Sequence, residues 1–180
     1  MPSLNFAPAV LAVCLWAGAA SAQAPPLKPE LSGLAFLVGG WAASDGTVAE
    51  TGGHASGTSR ITVEAQGAVL LRRDHTVLTD ANGAPAGGFD QIMMVYADAG
   101  AVRADYSDGT HLIHYDLAQI EPGRSVTFAS RGPAGAPTFR LTYTLTAPNA
   151  LVVDFGMVPP GAGEVRSIAS GVMHRTFRVD

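Results

Sequence analysis

The segment DGTHLIHYDL, Asp108 to Leu117, sets two imidazoles, His111 and His114, close to Asp108, Tyr115 and Asp116. On a helix that spacing would put both rings on one face, the arrangement by which several metalloenzymes offer paired nitrogen ligands to zinc. HLIHYDL carries no helical apolar stripe, however, and it follows an Asp-Gly turn signal, so it reads as a strand. A strand divides the pair. His111 falls on one face with Ile113, Tyr115 and Leu117, and His114 on the other with Leu112 and Asp116, so no metal site is expected here. The first face is the more apolar and would turn His111 and Tyr115 inward.

A second group of polar residues lies in LLRRDHTVL, where Arg72, Asp74 and Thr76 alternate with Leu71, Arg73, His75 and Val77. If the second set is interior, Arg73 and His75 enter the protein as polar contacts for a ligand. A buried arginine needs a partner, and a carboxylated apolar molecule would supply one. In the opposite arrangement Arg72 and Asp74 point in and Arg73 and His75 meet water. His174, near the end of the chain, shares one face with Ile168, Ser170 and Val172, while Met173, Arg175 and Phe177 share the other. A lone histidine in an apolar pocket is the least a protein must contribute to hold haem.

Other chemistries find no residues to carry them. No Gly-x-Ser-x-Gly segment, P-loop or Gly-x-Gly-x-x-Gly run occurs, and the glycine-rich segments DANGAPAGG and PPGAGE join strands without opening a helix. No catalytic residue is therefore nominated. The single cysteine, Cys14, lies in an uncharged apolar leader that ends Ala20-Ser21-Ala22. This leader reads as a secretory signal over residues 1–22, which implies a periplasmic or secreted protein without thiol chemistry after cleavage. The formal net charge is −4 and the arginines are scattered, so nucleic acid is not an expected partner. No later apolar run reaches spanning length, and no membrane insertion is expected once the signal is removed.

The elements that must position these side chains are mostly strands. After a proline-rich spacer over residues 23–30, Leu31, Leu34 and Leu37 keep helical spacing for about two turns until Gly39-Gly40. From Trp41 on, turn signals recur at short intervals and mark about ten strands, near residues 41–49, 57–65, 68–78, 89–97, 101–107, 110–119, 124–131, 137–146, 150–158 and 165–178. In TFRLTYTLT, Phe139, Leu141, Tyr143 and Leu145 alternate with Arg140, Thr142, Thr144 and Thr146, which leaves one face dry and one wet. Short connections favour an all-β, up-and-down antiparallel barrel over residues 31–180, with one short N-terminal helix. Ten strands enclose more space than side chains fill, so a cavity is expected. A two-sheet sandwich with a solid core is the alternative architecture.

LAFLVGGWAASDG (Leu34 to Gly46), GGFDQIMMVY (Gly87 to Tyr96) and SGVMHRTFRV (Ser170 to Val179) resemble the lipocalin-like calycin barrels of bacterial secreted proteins of unknown function, and distantly the nitrobindin-type haem proteins. The resemblance implies that the helix and Trp41 close one end of the barrel. It also implies carriage of a small apolar or amphipathic ligand, without a cofactor; the strand faces read above offer Arg73, His75, His111 and Tyr115 as contacts for it, and Trp41 joins them as a candidate. Its haem-binding branch implies instead an axial histidine, for which His174 is the candidate. A structural envelope protein with a filled barrel is the third reading.

Overall fold

The computed structural model describes residues 25–177. The signal segment expected over residues 1–22 lies outside them. Ten strands follow one another: β1 (Gly39–Val48), β2 (Gly53–Glu64), β3 (Val69–Thr79), β4 (Pro85–Asp98), β5 (Ala101–Ser107), β6 (Leu112–Glu121), β7 (Ser125–Ser130), β8 (Thr138–Ala147), β9 (Ala150–Val158) and β10 (Arg166–Phe177). Each pairs antiparallel with its neighbour in sequence, and β1 pairs with β10, so the sheet closes on itself as an up-and-down barrel. The expected fold class is what the chain adopts, and the sandwich is excluded. Closure removes both sheet edges, which would otherwise expose a row of unpaired backbone donors and acceptors.

Inward positions alternate as the pleat requires. Met93 and Val95 point in from β4, Val102 and Ala104 from β5, Tyr115 from β6, Val126 and Phe128 from β7, Leu141 and Tyr143 from β8, and Leu151 from β9. Ile92 and Met94, one residue out of phase, lie on the outer face at 45% and 40% exposure.

The leucines ahead of β1 form a 3-10 helix, Pro29–Leu37, started by the proline at its first turn. Leu31, Leu34 and Leu37 are buried and join Trp41, Leu70 and Leu151 in one core cluster that fills this end of the barrel. Each such leucine contributes about 1.5–3 kcal/mol of burial. The cap is tied down by polar contacts as well. The Trp41 indole Nε1 donates to Leu37 O at 2.8 Å, and Gly123 N in the β6–β7 turn donates to Gly33 O at 2.9 Å. From β10, Arg175 donates to Val38 O at 2.7 Å and Phe36 O at 3.0 Å, and its guanidinium lies 4.0 Å over the Trp41 ring. The spacer is drawn in too, since Lys28 N donates to Gly67 O at 2.9 Å.

Gly57 in β2 takes φ +156, and a Cβ there would stand 2.0 Å from His75 O on β3. Glycine is required at that approach of the two backbones.

Candidate functional site

Above the leucine plug the barrel is hollow. A cavity of about 790 Å³ opens at the end opposite the helix, within the range that small-molecule sites occupy. Its walls include Ile113, Leu141, Val153 and Met173, and Phe139 and Phe155 stack across β8 and β9 with ring centroids 5.8 Å apart. Leu112 and Phe89 stand at the mouth, 66% and 37% exposed.

The register of β3 decides which of its charged residues enter this space. Leu70, Arg72, Asp74, Thr76 and Leu78 fall on the inner face, whereas Arg73 and His75 are exposed on the outer one. The inward orientation expected for Arg73 and His75 is corrected. The physical reason lies in the residues themselves: Arg72 and Asp74 on one face neutralise each other, and the strand face of Arg73 and His75 carries no carboxylate that could pair a buried guanidinium. His75 Nδ1 instead meets Asp90 Oδ1 at 2.8 Å with its side chain 64% exposed, although its position lies beside the cavity.

Arg72 is the centre of a polar floor. Its Nε donates to Asp74 Oδ2 at 2.6 Å and its Nη2 donates to the same oxygen and, at 3.2 Å, to Gln91 Oε1. Nη1 donates to the Tyr143 hydroxyl and approaches Met93 Sδ at 3.8 Å. Gln91 Nε2 passes the chain on to Thr76 Oγ1 at 3.2 Å. The Arg72 and Asp74 side chains are 13% and 8% exposed, so the pair is largely withdrawn from water. Burial alone would work against the guanidinium's charge, but Asp74 beside it more than compensates and holds the proton more firmly than usual. Burial pushes the Tyr143 hydroxyl up to about 12, against the pull of Arg72. The hydroxyls of Tyr106 and Tyr115 are raised further, again by burial first.

Tyr115 lines the cavity as expected of an inward residue, at 1% exposure, and its hydroxyl makes no hydrogen bond among the described residues. His111 departs from expectation. β6 starts one residue later, at Leu112, and His111 belongs to the preceding turn, beside the cavity mouth and 68% exposed. Asp108 organises that turn by accepting from His111 N at 2.7 Å, Thr110 N at 2.9 Å and Tyr106 Oη at 3.3 Å, with His111 Nδ1 2.9 Å away. Those bonds, the His111 backbone N–H first, hold its carboxyl well below the usual carboxylate range.

Trp41 does not line the cavity; it belongs to the plug described above, because its indole is committed to Leu37 and covered by Arg175. His174 faces outward on β10, between the inward Gly171, Met173 and Arg175. Its ring does not fit a haem held inside the barrel. His114 likewise points out, with Nδ1 2.6 Å from Asp105 Oδ1, and Asp105 also accepts from Tyr96 Oη at 3.0 Å. Among the described residues no three histidine, cysteine, aspartate or glutamate side chains gather to hold a metal ion. No helix among them is long and apolar enough to cross a membrane.

Fold and site together define a closed ten-stranded barrel with one plugged end and one open, mostly apolar cavity floored by an ion pair. No protein-family model and no curated protein matches the chain. Among solved structures it is similar to that of EF1p2_mFAP2b bound to DFHBI, at 10% identity over 81% of this chain and 98% of that one, with a TM-score of 0.43. The barrel is established by this chain's own strand pairing.

Proposed function

We propose that the protein is an exported binding barrel that holds a small apolar or amphipathic molecule in its cavity. One observation carries the reading: about 790 Å³ of space walled by Ile113, Phe139, Leu141, Val153, Phe155 and Met173, with hydrogen-bonding groups gathered at its inner end. A barrel that served only as a solid structural element would gain stability by filling that volume, since apolar side chains facing an unfilled space forgo their packing contacts. Apolar walls bury the body of a ligand, and a few fixed polar groups orient it. The leader ending at Ala22 supports an exported destination.

The test is titration of the purified protein with an environment-sensitive apolar dye, alongside native mass spectrometry of protein taken from its own host. Saturable one-to-one dye binding, abolished by Val153→Trp with the far-ultraviolet spectrum unchanged, is the expected result. No dye binding together with no copurifying molecule would refute the reading.

A further inference from the structure

The polar floor has a sign. A guanidinium offers five N–H donors, and in Arg72 each has somewhere to go: Nε to Asp74, Nη2 to Asp74 and Gln91, Nη1 to Tyr143 and, weakly, to Met93 Sδ. No donor is left over for a ligand carboxylate. The carboxylate partner is used unevenly. Asp74 Oδ2 takes both bonds from Arg72, while Oδ1 is buried with no hydrogen-bond partner among the described residues. Asp74 lines the cavity with its side chain 8% exposed, and a buried carboxylate oxygen without a donor is costly. Tyr115 of β6, which lines the same cavity, adds a hydroxyl that can give or take a hydrogen bond.

We infer that the cavity selects a neutral apolar molecule carrying a hydrogen-bond donor, a hydroxyl or an N–H, which is directed at Asp74 Oδ1, and that it discriminates against fatty or aromatic carboxylates. A hydroxyl satisfies both groups, donating to Asp74 and accepting from Tyr115. A carboxylate can only accept, finds Arg72 already neutralised, and brings a second negative charge beside Asp74. An ether of the same shape fills the walls but leaves Oδ1 unpaired. This inference rests on the binding reading above and adds the class of ligand.

The experiment is competition, at pH 7, of 4-octylphenol, 4-octylanisole and 4-octylbenzoate against the apolar dye. The phenol is expected to displace the dye at about tenfold lower concentration than the anisole, equivalent to about 1.4 kcal/mol, and the benzoate to be the weakest. In Asp74→Asn the charge of Arg72 is released and the order of phenol and benzoate should reverse. Should that variant fail to fold, Arg72→Met/Asp74→Leu replaces the pair by apolar groups of similar size and keeps the test open. It should bind the dye and treat the phenol and the anisole alike within about twofold, with the ionised benzoate still the weakest for want of a partner. Dye binding with phenol and anisole equal in the wild-type protein, or with benzoate tightest, overturns the inference and leaves the binding reading standing. Absence of dye binding together with no copurifying molecule overturns both.

Discussion

Breaking the Arg72–Asp74 pair on one side should cost far more than removing it altogether. In Asp74→Ala the guanidinium keeps its bonds to Tyr143 and Gln91 but loses both bonds to Asp74 Oδ2. Hydrogen bonds to charged groups are worth about 1.5–3 kcal/mol each, so the loss lies near 3–6 kcal/mol. The cavity lets solvent reach Arg72, whose side chain is 13% exposed, and this pulls the expectation to about 3 kcal/mol. Arg72→Met/Asp74→Leu removes both charges and their desolvation together, and it should lie within about 1 kcal/mol of the wild type or above it. Urea unfolding followed by tryptophan fluorescence measures both, provided the m-values agree, since a changed slope would mean a changed unfolded or native state. If Asp74→Ala costs less than about 1 kcal/mol, the pair is not withdrawn from water and the account of the cavity floor is wrong.

Asp108 gives a pH signature. Its carboxyl is depressed in the folded protein, so its contribution is fully present above the unfolded value near 3.8 and is lost as pH falls through the lower folded value. Asp108→Asn should flatten the urea midpoint against pH below about 4 while sparing the midpoint's shape at neutral pH. Arg175→Met removes the bonds to Phe36 O and Val38 O and the cover of Trp41. A loss of about 2–3 kcal/mol with a red-shifted tryptophan emission is expected, and an unshifted spectrum would contradict that contact. His111→Ala and His114→Ala should each stay within about 1 kcal/mol in the same melts, because both rings are more than half exposed. Gly57→Ala should lower stability by more than 2 kcal/mol in thermal melts, since its Cβ would collide with His75 O.

Strand positions were legible because alternation and turn chemistry agree along most of the chain. TFRLTYTLT shows one face of apolar residues and one of Arg and Thr, and β8 (Thr138–Ala147) places Leu141 and Tyr143 inside. The faces of β3 were not legible from hydropathy, because each carries one arginine, one further titratable group and aliphatic residues. The available signal was charge: Arg72 and Asp74, two apart on one face, form a self-neutralising pair, and Arg73 and His75 do not. Tyr143 joined the floor unannounced, since an inward tyrosine in a strand looks like any core aromatic until the fold brings its hydroxyl to an arginine. His111 was misplaced by a single residue. The turn built on Asp108 holds it outside the strand, a capping interaction that alternation does not detect.

Nine of the ten strand pairings join neighbours in sequence, while the tenth brings β1 to β10 and lets Arg175 reach Val38 across 137 residues. Neighbouring hairpins can form with little chain-closure entropy, whereas the last seam waits on the longest loop the fold contains. The hollow has no complete wall before that seam forms, for Thr47 on one side of it and Ser170 on the other both line the cavity. A molecule bound there therefore holds shut the junction that the chain closes last. Occupancy should slow unfolding more than it speeds folding, so that the ligand acts as a latch on the lifetime of the barrel.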